Sequence, residues 1–103
     1  MKTGQRPNIY DRIIERNVYY YVINYNIRFD KEIGAFRWDF VKVNNLNYGE
    51  IVDAIIKRKY PNDKMQAIMN NYLMDQTDEH IAEFLEMQEW RKFAKSYAKS
   101  VIE

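Results

Sequence analysis

From Tyr19 the apolar side chains fall on every second residue, Tyr19, Tyr21, Ile23, Tyr25, Ile27 and Phe29, while Asn24, Asn26, Arg28 and Asp30 take the later intervening positions. A period of two is that of a β-strand with one wet face. Phe36, Trp38 and Phe40 alternate with Arg37 and Asp39 in a second run, and Gly34 between the runs is free to take positive φ in a turn. Together they predict a long antiparallel β-hairpin over 17–44. At Phe40 the apolar phase passes to Val41 and Val43, which predicts a bulge or strand end at that point.

On the N-terminal side, 1–7 reads as a flexible arm, and Asn8 as the cap of a short helix from Ile9 to Glu15 whose Ile9, Tyr10, Ile13 and Ile14 share one face. After the hairpin, Asn47 and Glu50 form a capping pair and Leu46 stands where a hydrophobic staple meets Ile51, so a helix begins there. It stops near Tyr60, because Pro61 disfavours helical geometry in the residue before it. A second helix carries Met65, Ile68, Met69, Tyr72 and Leu73 on one stripe, and Thr77 caps a third. In that last helix Ile81, Phe84 and Leu85 point one way at about 100° per residue, and Trp90, Phe93, Ala94, Tyr97 and Val101 point roughly the other. Such a helix either kinks near 86–89 or carries its C-terminal half out of the parent domain to dock on something else. The expected fold is a single α+β domain over 1–103: a short N-terminal helix, the hairpin, and a helical part over 47–103 packed on one face of the sheet.

Several function classes are disfavoured. The 103 residues include no cysteine, which removes disulfides, thiol nucleophiles and thiolate metal sites. No apolar run approaches the roughly 18 residues of a membrane span, and MKTGQRP leads into no signal-peptide core, so a cytoplasmic protein is expected. The only histidine is His80 and the only serines are Ser96 and Ser100, all in the last helix. Glu79, His80 and Glu83 lack both metal-site spacing and a second ligand set. With no glycine-rich phosphate loop either, the expectation is a protein that is not an enzyme, with no cofactor and no small-molecule substrate.

Binding is what is left. Val18, Tyr20 and Val22 lie on the strand face that later turns polar at Asn24, so one end of the strand is apolar on both sides. The divergent stripe of the last helix is the second apolar surface in need of cover. Tyr20, Val22, Trp90, Phe93 and Tyr97 are therefore the predicted contact surface for a protein partner or a second copy of the chain. A nucleic-acid reading would use Lys57, Arg58, Lys59, Arg91 and Lys92; a net charge of +1 weighs against it.

The region 41–103, which includes the segments VNNLNYGEIVDAIIKRKYPNDKMQAIMNNYL and EFLEMQEWRKFAKSYAKSV, resembles a group of small uncharacterised proteins encoded in Bacteroidetes prophages and other mobile elements. The resemblance implies a phage or mobile-element setting and carries over no catalytic residue. Proteins of that setting are often virion parts, small regulators or antagonists of host defence, all of which work by binding.

Overall fold

The computed structural model describes residues 4–103. Three strands precede three helices: β1 (Tyr10–Glu15), β2 (Val18–Asp30), β3 (Ala35–Val43), α1 (Tyr48–Lys59), α2 (Asn62–Met74) and α3 (Asp78–Ile102). The strands form one antiparallel sheet in the order β1-β2-β3, with β2 in the middle. The chain is thus α+β as its pattern predicts. Residues 1–3 of the expected arm lie outside the described residues. Among the described residues no helix is long and apolar enough to cross a membrane.

The expected N-terminal helix is instead β1, paired with β2 from Tyr10↔Ile23 to Glu15↔Val18. Asn8 caps nothing: its side-chain amide donates to Asp11 Oδ1 at 3.0 Å. Six residues are too few for periodicity to decide between the two readings. The deciding feature is the turn. Arg16 and Asn17 have φ of 51° and 66°, the pair of left-handed residues that a two-residue type I′ hairpin turn requires. Without a glycine, the turn is inconspicuous in the sequence. Arg16→Asn together with Asn17→Gly should raise stability by about 1 kcal/mol, read as a higher thermal unfolding midpoint, because both replacements suit positive φ better.

A bulge is present, but in β2 rather than at Phe40. Pairing passes from Tyr25↔Asp39 to Arg28↔Arg37, so Asn26 and Ile27 oppose a single residue of β3. Asn26 absorbs the extra residue at φ 54°, a conformation that asparagine tolerates better than most side chains. Its backbone carbonyl accepts from Arg28 Nη1 at 2.7 Å and its side-chain amide donates to Asp39 Oδ2 at 3.0 Å. Beyond the bulge the alternation of β2 inverts. Ile27 and Phe29 turn to the face carrying Phe36, and the Phe29 and Phe36 rings meet edge-on at 5.2 Å. β3 itself runs unbroken, with Phe36, Trp38 and Phe40 on one face and Val41 and Val43 on the other.

The helices cover the second of these faces. Ile23, Tyr25, Val41 and Val43 meet Ile51, Ile55 and Ile56 of α1 and Ala94, Ala98 and Val101 of α3 in one buried cluster. Asn47 caps α1 by accepting from the Glu50 amide at 2.8 Å. The Glu50 carboxylate turns to the backbone and side-chain amides of Asn45, not to Asn47, and these bonds hold it below the usual carboxylate range. α3 runs as one helix over its 25 residues, and its two stripes meet different neighbours. Met87 joins Tyr60 and Ile68 in a second cluster, and Phe84 stacks on Tyr72 at 4.1 Å, whereas the later stripe packs on the sheet and α1. The expected stripe of α2 is only partly used: Ile68 is buried, but Met69 and Leu73 are exposed.

Candidate functional site

With all three helices on one side, the other face of the sheet is left uncovered. Ile13 comes from β1, Tyr20 and Val22 from β2, and Trp38 and Phe40 from β3, each by strict alternation along its strand. Past the bulge Ile27, Phe29 and Phe36 extend the same apolar surface. Phe29 and Phe40 keep 51% and 45% of their areas in solvent. Contiguous aromatic exposure of this kind marks a binding surface more often than a free one.

The face is shaped by the segment before β1. Gln5, Arg6, Pro7 and Asn8 form one wall of a shallow concavity of about 570 Å³ over the sheet. Asn24 fixes that wall. It is 3% exposed, its side-chain amide donates to the Asn8 carbonyl at 2.8 Å and to Asp11 Oδ2 at 3.2 Å, and its backbone amide donates to the Ile9 carbonyl at 2.8 Å. Asp11 stands on β1 and Lys42 on β3, both in register with Val22. The Lys42 ammonium lies 5.1 Å from the centre of the Tyr20 ring.

The five expected contact residues do not form one surface, because the sheet stands between them. Tyr20 and Val22 belong to the uncovered face. Trp90, Phe93 and Tyr97 belong to the helix side, where Trp90 Nε1 donates to the Ile55 carbonyl at 3.0 Å and the Trp90 and Phe93 rings flank Tyr25 at 6.1 and 6.3 Å. The Tyr97 hydroxyl donates to the Asn24 carbonyl. Burial pushes the Tyr25 and Tyr97 phenols above their ordinary value, assisted at Tyr25 by Asp39 and opposed at Tyr97 by Arg6.

The basic residues are likewise dispersed. Lys57 and Arg58 border Phe40 and Lys42 beside β3, and Lys57 is paired with Asp53 at 3.0 Å. Lys59 lies 3.5 Å from Glu86 and 4.9 Å from the Trp90 ring centre. Arg91 reaches Gln88 on its own helix at 3.4 Å, and Lys92 is exposed further along α3. His80 Nδ1 sits 2.6 Å from the Asp75 carbonyl, and its amide donates to Thr77 Oγ1 at 3.3 Å. Among the described residues no three His, Cys, Asp or Glu side chains are grouped to hold a metal ion.

Sequence reasoning missed Ile13, Trp38, Phe40, Asp11 and Lys42 as members of this face. The signal was present for β3: Phe36, Trp38, Phe40 and Lys42 alternate without interruption against Val41 and Val43, which describes a strand that is apolar on both sides. No known family model, curated protein or solved structure matches the chain.

Proposed function

We propose that the chain is a small non-enzymatic protein-interaction or assembly module of the cytoplasm that binds through the uncovered sheet face, with Tyr20, Val22, Trp38 and Phe40 at its centre. The supporting observation is that face itself: aromatic, contiguous, and opposite the helical layer. The resemblance of 41–103 to prophage and mobile-element proteins adds a setting in which small proteins act by binding. Trp38→Asp and Tyr20→Asp should each abolish association, measured by light scattering or by capture of the partner, while thermal unfolding moves by only a few degrees. Association that survives both substitutions would sink the proposal.

A second reading has one observation in its favour. Lys42, Lys57 and Arg58 gather around the exposed Phe40 ring, an arrangement of basic rim and aromatic platform that suits single-stranded nucleic acid. The nearby carboxylates Asp11 and Asp53 and the small net charge favour the protein partner. Fluorescence anisotropy with labelled DNA and RNA oligonucleotides at low salt separates the two, since nucleic-acid binding would be strong there and would fall steeply as salt is added.

A further inference from the structure

The charges on the uncovered face have a symmetry that suggests what covers it. Asp11, Val22 and Lys42 are neighbours in register across the three strands, so a carboxylate and an ammonium flank a valine on one rung. Adjacent strands are about 4.8 Å apart, and packed sheets lie about 10 Å apart. A two-fold axis running along β2 between two stacked sheets exchanges the outer strands. It lays Val22 on the second copy's Val22 and brings Asp11 to the second copy's Lys42 on one flank and Lys42 to the second copy's Asp11 on the other. The summed reach of an extended lysine and an aspartate fits the gap.

Two other ways of pairing two copies oppose like charges. An axis across the strands at this rung would stack Asp11 on Asp11 and Lys42 on Lys42. Edge-to-edge pairing of β1 with its copy, in the antiparallel registers centred on Arg12 or Ile13 that keep both sheets facing the same way, would set Arg12 against Arg12 or Asp11 against Glu15. We infer that the occupant of the uncovered face is a second copy of this chain, stacked sheet to sheet about a two-fold axis along β2 and registered by two Asp11–Lys42 pairs. This rests on the proposed role of the sheet face and adds the identity of the partner.

The test is sedimentation of the full chain and of two charge variants over a dilution series, with circular dichroism to confirm folding. The wild-type chain should sediment as a dimer, at about twice its 12.6 kDa mass. Asp11→Lys alone and Lys42→Asp alone should each weaken the dimer by about 10- to 100-fold, since each homodimer then opposes like charges at two places. Mixing the two variants should restore wild-type affinity, because the mixed pair is complementary at both. Asp11 also accepts from Asn8 and Asn24; if Asp11→Lys does not fold, Lys42→Asp alone decides by its salt response. Added salt should strengthen the dimer of that variant and weaken that of the wild type.

The failures are distinguishable. A wild-type chain that stays monomeric overturns the self-pairing alone and leaves the face to a different protein. A dimer indifferent to these charges and also to Val22→Asp lies elsewhere and overturns the self-pairing, leaving the face to a different protein. Capture of single-stranded oligonucleotides by the same residues would overturn both the self-pairing and the proposed role of the face.

Discussion

Trp90→Ala should lower the free energy of unfolding by about 3 kcal/mol, the low end of the range for deleting a large aromatic because the ring is only partly buried, and still a large fraction of what holds a domain of this size together. Three losses coincide there. The indole leaves a void between the Tyr25 and Phe93 rings, the Ile55 carbonyl loses its donor across the α1–α3 interface, and the Lys59 ammonium loses the ring beneath it. Urea unfolding followed by circular dichroism measures the change, and a loss under 1 kcal/mol would place Trp90 outside the cooperative core. Tyr20→Asp is the informative contrast. It introduces charge on the opposite side of the same sheet, and its effect should appear in association and not in folding.

The second large effect is expected in alkali. Tyr25, Tyr60 and Tyr97 have phenols raised above the ordinary tyrosine value near 10, in each case first by burial. At Tyr60 the carboxylates Glu86 and Glu83 push in the same direction. The folded chain therefore keeps these protons at a pH where the unfolded chain has released them, so unfolding releases protons. Their contribution is fully present below about pH 10 and is lost as pH rises through the raised values. The urea midpoint should hold up to that point and fall steeply beyond it. A spectrophotometric titration of the nine tyrosines should show a late group whose ionisation coincides with unfolding. A single transition near pH 10 with the fold intact would show that these rings are wet.

The helical half of the fold was legible because its punctuation is local. Asn47, Pro61 and Thr77 mark ends by chemistry that acts within a turn of the backbone. The sheet was less legible, since its register depends on three positive-φ positions filled by Arg16, Asn17 and Asn26 without glycine. A misplaced bulge inverts every side chain beyond it. Plain alternation therefore puts Ile27 and Phe29 on one face with Ile23 and Tyr25, and leaves Trp38 without a surface to belong to. The uncovered face was visible in outline, through Tyr20 and Val22. Its other half required knowing which strand carries the extra residue. The last helix posed a sound question, two stripes on one rod, whose answer needed the positions of both α2 and the sheet.

The order of elements also has a consequence in time. Every strand is made before any helix, and the side chains that close the covered face of the sheet run as far as Val101. At about 5–20 residues per second, the roughly 60 residues between Val43 and Val101 take about 3–12 s to synthesise. For that interval the growing chain carries strands with apolar side chains on both faces, before the helices that cover one of those faces have been made. The chain thus passes through its most adhesive state on the ribosome, where factors that hold nascent chains have seconds in which to act.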